Sequence, residues 1–274
     1  MPKVRVNNLD MYYEFHGPED GELLILNNGV FMNTASWAFQ LPDLSRRYRV
    51  LVYDMRGQGQ SGHPAGEYTL GLHAADLVAL MDELKLEKAH MVGTSYGGEL
   101  NLELGIRFPE RCQSLTIIAS VSHSDALLVA MLERWRLAAQ LGDGPKFFRL
   151  IYADTYSDNF LIQRPELIPM AEQRYATLDL TAAVQLIESF QRFNVTADLR
   201  RIKVPTCIVS AELDLLKPRK YGEIMHRAIA GSEFHLIPDA GHVVVLEKAA
   251  EVNSIILGFL AKHPFLLNPA GYQR

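Results

Sequence analysis

Three residues in this chain have the types and settings that nucleophilic chemistry needs. The first is Ser95, in Gly93-Thr94-Ser95-Tyr96-Gly97-Gly98. That run follows the apolar stretch His90-Met91-Val92 and opens a helical pattern over residues 96–108, which Pro109 stops. A serine with glycine two places before and two places after fits a tight turn from strand to helix. Such a turn strains the serine backbone, and flanking side chains larger than hydrogen would collide. It lifts the hydroxyl above the sheet edge and sets the free N–H groups of a helix N-terminus beneath developing negative charge. A serine needs a base, and the base needs an orienting acid. Nine histidines offer the base. His242, in Pro238-Asp239-Ala240-Gly241-His242-Val243, follows the apolar run at 234–237 and so stands on a loop at the carboxyl end of a strand. His90 and His235 lie inside strand patterns and read as packing, whereas His123 follows the run at 115–119 and could look into a pocket. The acid reads as Asp214, in Ala211-Glu212-Leu213-Asp214-Leu215-Leu216-Lys217-Pro218. Glu212 and Asp239 are its rivals, and capping a helix is the other use for Asp214.

Short β-branched or apolar runs must hold these residues. They lie at 23–26, 50–53, 90–92, 115–118, 207–209 and 234–237. Continuous rather than alternating apolarity predicts strands buried on both faces, as in a parallel sheet. Helical stripes separate them, among them Leu72, Leu77, Leu80, Met81 and Leu84, then Val252, Ile255, Ile256, Phe259 and Leu260. Strand and helix in alternation predict an α/β architecture. Residues 4–6 and 11–15 read as an edge hairpin. From about 124 to 198 the strand signal disappears and aromatic-rich helical patterns take over, including Trp135, Phe147, Tyr156, Tyr175 and Phe190. This stretch is read as a helical insertion whose aromatics form a satellite core, line a pocket, or both.

The Ser95 turn, Asp214 and Gly241-His242 together resemble the α/β-hydrolase superfamily. So does Asp54-Met55-Arg56-Gly57-Gln58-Gly59-Gln60-Ser61, which is similar to that family's turn after the fourth strand. The chain order serine, acid, histidine is also the family's. The resemblance implies a mostly parallel eight-stranded sheet flanked by helices, with a helical lid inserted after the sixth strand. The core domain is then 1–122 with 199–274, and the lid is 123–198. The resemblance also implies an oxyanion hole made from the backbone N–H groups of Val30 and Tyr96. The loop that carries Val30 reads Asn27-Asn28-Gly29-Val30-Phe31, with Asn28 where the family commonly has histidine. Phe31, His123 and Trp135 are the candidate pocket residues.

The expected activity is hydrolysis of a carboxylic ester or lactone through an acyl-enzyme, with a small acyl substrate and neither a metal nor an organic cofactor. Serine rather than aspartate at the turn argues against dehalogenase and epoxide hydrolase chemistry. Cleavage of a carbon–carbon bond in a diketone, acyl transfer to an alcohol, and a non-catalytic ligand receptor remain open alternatives. The Asn28-Gly29 loop together with Thr34-Ala35-Ser36-Trp37 resembles acyltransferases that make lipid precursors from hydroxyacyl chains. Composition is that of an ordinary globular chain: 274 residues, 48% apolar, with a net charge of −5. That charge leaves no basic footprint for nucleic acid. No apolar run approaches a membrane span, and the first residues lack the apolar core of a signal peptide. With only Cys112 and Cys207, the expectation is a disulfide-free cytoplasmic protein.

Overall fold

Each apolar run becomes a strand in the computed structural model, which describes residues 2–265. The strands are β1 (Lys3–Val6), β2 (Leu9–His16), β3 (Glu22–Asn27), β4 (Tyr48–Tyr53), β5 (Ala89–Thr94), β6 (Cys112–Ile118), β7 (Thr206–Ala211) and β8 (Glu233–Ile237). They form one eight-stranded sheet in the order β1-β2-β4-β3-β5-β6-β7-β8. The hairpin β1–β2 and the β2–β4 pair are antiparallel, and every other pairing is parallel. Along β3, Leu23 and Ile25 enter one apolar core while Leu24 and Leu26 enter another. In β4, Leu51 and Tyr53 face the first core, and Val50 and Val52 face the second. Burial on both faces is why these strands read as unbroken apolar runs.

The helices are α1 (Leu41–Leu44), α2 (Leu70–Glu83), α3 (Tyr96–Arg107), α4 (Ala126–Ala139), α5 (Gly144–Ile151), α6 (Asp158–Gln163), α7 (Leu167–Tyr175), α8 (Leu180–Gln191), α9 (Lys220–Ala228), α10 (Val244–Glu247) and α11 (Ala249–Leu260). Buried residues of α2, α3 and α9 pack in the first core, and those of α1 and α11 in the second. Helices α4 to α8 all lie between β6 and β7 in the chain. The starts of α4, α5, α6 and α8 follow from the sequence: Asp125, Asp143, Ser157 and Asp179 each accept a backbone N–H of the helix they precede.

The strand order reverses between β3 and β5. Their carboxyl ends lie side by side, and the following loops leave in opposite directions, which opens a crevice there. The loop after β3 carries Gly29 and Val30, and the loop after β5 carries Ser95. Asp214 and His242 follow the next strands along the same edge, β7 and β8.

Two buried histidines set an acid limit on this fold. His73, on α2, lies edge-on to the rings of Tyr68 and Tyr96, and neither ring nitrogen has a partner among the described residues. Burial, with Arg56 nearby, lowers it to about 3, and burial lowers His90 to about 4. An unfolded chain takes up these protons near pH 6.5, whereas the folded chain refuses them until far lower pH. Stability must therefore fall as pH drops from about 6.5, by about 2–3 kcal/mol for each histidine at pH 4.5. Denaturant midpoints at pH 7 and 4.5 measure this loss. His73→Phe, which keeps a planar ring and cannot protonate, should shrink the gap; an unchanged gap would assign the acid lability elsewhere.

Candidate active site

Ser95 occupies a backbone conformation that L-residues avoid, with φ 53° and ψ −117°. Such a residue costs about 1–3 kcal/mol and persists only where its surroundings dictate it. The neighbouring glycines supply that dictation. A Cβ at Gly93 would lie 2.1 Å from the carbonyl oxygen of Gly97, and one at Gly97 would lie 2.0 Å from that of Asn27. A Cβ at Gly98 would meet Ser120 Oγ at 2.0 Å. The turn is fastened by Ser95 N–H donating to Ile118 O (2.8 Å) and by Ser120 Oγ donating to Ser95 O (2.7 Å).

The Ser95 hydroxyl meets His242 Nε2 at 2.9 Å, and His242 Nδ1 meets Asp214 Oδ2 at 2.8 Å. All three residues are buried. The other carboxylate oxygen, Asp214 Oδ1, accepts the backbone N–H of Lys217 at 2.7 Å. The rivals for the acid lie elsewhere. Glu212 and Asp239 are exposed, and Glu212 Oε2 accepts the N–H of Asp239. The His242 loop is clamped by Glu247, whose two oxygens accept Gly241 N–H (2.8 Å) and Ser157 N–H (2.9 Å). One carboxylate thus ties this loop to the helical segment between β6 and β7.

Val30 lines the same cavity as Ser95, Tyr96 follows Ser95 at the start of α3, and neither N–H is seen donating to another described residue. Asn28 holds the Val30 loop. Its amide donates to Tyr53 O (3.0 Å) and its oxygen accepts the indole N–H of Trp37 (2.7 Å). Trp37 therefore belongs to the loop's support. Asp54 braces the same region by accepting the N–H groups of Thr34 (2.8 Å) and Gln60 (2.7 Å). Burial raises its carboxyl above the ordinary range. In the same turn, Arg56 makes a two-pronged pair with Asp76 of α2 at 2.7 and 2.8 Å.

A cavity of about 90 Å³ opens onto Ser95 and His242. Phe31 and Trp135, both expected in a pocket, line it together with Met32, Phe148, Tyr156 and Tyr175. Phe31 packs edge-on to Phe147 and Tyr175, and the Trp135 indole N–H donates to Asp154 (2.7 Å). His123 does not line this cavity, which corrects the expectation. Its ring lies edge-on to Tyr221, with Nδ1 between Ser122 Oγ and Thr196 Oγ1. The sequence reading also passed over Lys217 and Glu99. Both side chains are fully buried, and they pair with each other beside Ser95. Glu99, Glu103 and Arg107 recur every fourth residue along α3, so the glutamate reads as part of a polar face and nothing local marks it as buried. The two cysteines are free and buried, with thiols pushed up to about 12 by burial, so they are not poised as nucleophiles.

A family model for the alpha/beta hydrolase fold matches residues 22–249. The RutD protein of Azorhizobium caulinodans, named as a carbamate hydrolase, is 27% identical over 94% of this chain and 98% of its own length. A 3-oxoadipate enol-lactonase of Acinetobacter baylyi is 27% identical over 90% of this chain and 91% of its own. A thermophilic esterase from Thermogutta terrifontis, solved with malate bound, is 25% identical with a TM-score of 0.86, covering 96% of this chain and 100% of that one. Among the described residues no helix is long and apolar enough to cross a membrane. With the family match spanning most of its length, the chain belongs to the alpha/beta hydrolase fold family.

Proposed function

We propose that the protein hydrolyses a carboxylic ester, lactones included, through an acyl-enzyme on Ser95. The observation that carries this reading is the unbroken relay from Asp214 through His242 to Ser95, at the wall of a cavity lined by aromatic rings. His242 takes the hydroxyl proton at Nε2 as Ser95 Oγ bonds to the acyl carbon. The carbonyl electrons move onto oxygen, where the N–H groups of Val30 and Tyr96 receive the charge. Collapse expels the alcohol oxygen, which takes the proton from His242. Water then repeats the sequence on the acyl-enzyme and restores the hydroxyl. Asp214 holds Nδ1–H and stabilises the imidazolium. Each hole donor is worth about a hundred- to a thousandfold in rate.

Residues 123–198 act as a lid in this reading, since Trp135, Phe148, Tyr152, Tyr156 and Tyr175 contribute most of the cavity's aromatic wall. Apolar walls suit the acyl or ring portion of a small substrate. The enol-lactonase and the esterase among the similar proteins support an ester-type bond, and the carbamate-hydrolase name of RutD marks the chemistry next to it. The test is labelling by a fluorophosphonate, read by peptide mass, followed by turnover of short p-nitrophenyl esters, lactones, carbamates and diketones. The expected result is a single adduct on Ser95 and fastest turnover of an ester or lactone. An adduct elsewhere defeats the site. Labelling without turnover of any ester or lactone defeats the substrate class, and a receptor would give neither adduct nor turnover.

A further inference from the structure

The nucleophile has a second partner for which a serine, histidine and aspartate relay has no use. Lys217 Nζ lies 3.1 Å from Ser95 Oγ. Its side chain is wholly buried, the ammonium pairs with Glu99 Oε1, and it sits 4.1 Å above the Phe190 ring. Glu99 stands one helical turn beyond Ser95 on α3, so the turn that presents the nucleophile also presents the counter-ion. Lys217 is three residues after Asp214 and gives that carboxylate its backbone N–H. One short loop therefore reaches both ends of the relay.

We propose that Lys217, kept protonated by Glu99, is a catalytic residue that acts on the nucleophile oxygen; this deepens the hydrolase reading above and rests on it. An ammonium donates and cannot accept. Ser95 Oγ accepts from Lys217, so the hydroxyl's own proton is left for His242 Nε2, which fixes the direction of transfer before substrate arrives. As that proton moves to His242, negative charge grows on Oγ until its lone pair closes the bond to the acyl carbon. A cation 3.1 Å away in a water-excluded site stabilises that charge. When the acyl-enzyme is hydrolysed, Oγ leaves the acyl carbon as the electron pair returns, and the same ammonium steadies it until His242 gives the proton back. Lys217 keeps its own proton throughout. It does not line the cavity, so its effect falls on the nucleophile and not on substrate binding.

The alternative, lysine as general base, would require it neutral. Glu99 opposes that. Burial leaves Lys217 below its ordinary value, and the Glu99 and Asp214 carboxylates offset only part of that lowering. Burial raises the Glu99 carboxyl, and the neighbouring Lys217 ammonium holds it down. The charged and titratable groups around the pair are Glu99 and Tyr96 on α3, Asp214 in the lysine's own loop, and His242 across the serine. Without Glu99, the lysine would lose its proton at lower pH.

The experiment measures Ser95 labelling and burst acylation by a p-nitrophenyl ester across pH, on the whole protein. Lys217→Met should slow acylation about a hundredfold with KM little changed. Glu99→Gln should develop a new alkaline loss of acylation, recovered at lower pH where the lysine regains its proton. A structural role would not move that limb. Removing one member of a buried pair can unfold a protein, so the double variant Lys217→Met/Glu99→Leu, which leaves no charge unpaired, stands as the folded control. It should acylate as slowly as Lys217→Met. Parental acylation rates in the folded double variant, or a parental pH profile in Glu99→Gln, would overturn the proposal. Failure of the parent protein to label at Ser95 would instead overturn the hydrolase reading.

Discussion

Ser95→Ala should reduce ester turnover about a millionfold, to the residual level supplied by binding and the oxyanion hole. It should leave the fold intact. The mutation removes only Oγ. The backbone strain stays, because alanine has the same Cβ at φ 53°. The packing that dictates the turn also stays, since it comes from Gly93, Gly97, Gly98 and Ser120 rather than from the hydroxyl. His242 keeps its bond to Asp214, and Lys217 keeps its pair with Glu99. The melting temperature should therefore stay within a few degrees of the parent while burst acylation vanishes. The burst separates this from a general loss of activity: a damaged but competent site would still release one equivalent of alcohol slowly. Retained turnover with no burst would show that the bond is broken by water or another nucleophile, and the acyl-enzyme would have to be abandoned.

Much of the fold was legible in the sequence because the strands are buried on both faces. Leu23 to Leu26 alternate between two cores, so no polar face interrupts the run. The Ser95 turn was legible because its glycines answer to collisions of about 2 Å that no other residue escapes. Asp214 and His242 were readable as residues that follow strands on one edge. Asn28 was less readable. The sequence showed an asparagine where the resemblance led one to expect histidine, and only the fold shows its amide joining Tyr53 O to Trp37. His123 failed because standing at a strand's carboxyl end does not set where a side chain points; Tyr221 and Thr196 hold this ring away from the cavity. Lys217 and Glu99 stayed hidden for another reason. Charged residues read as solvent-facing, and their pairing spans 118 positions. Nothing local in either segment announces the other.

Asp214→Asn is the second large effect expected, a loss of about ten-thousandfold in acylation with binding little changed. Its size depends on which way the new amide turns, and the surroundings decide that. Asp214 Oδ1 accepts the Lys217 backbone N–H at 2.7 Å, and a backbone N–H can only donate. An asparagine must therefore turn its oxygen toward Lys217 and its NH₂ toward His242 Nδ1. That nitrogen then has to accept, so the imidazole proton moves to Nε2 and points at Ser95 Oγ. The histidine is left unable to take the serine proton. Lys217 already donates to the same oxygen, which would face two donors and no acceptor for its own hydrogen. Lowering the charge near a growing imidazolium adds to the loss. The variant should remain folded, because both hydrogen bonds survive in altered form. Nitrogen NMR of the imidazole should report the reversed tautomer directly. Turnover within about tenfold of the parent, or an unreversed imidazole, would mean that Asp214 serves mainly to hold its loop through Lys217, and that another group orients His242.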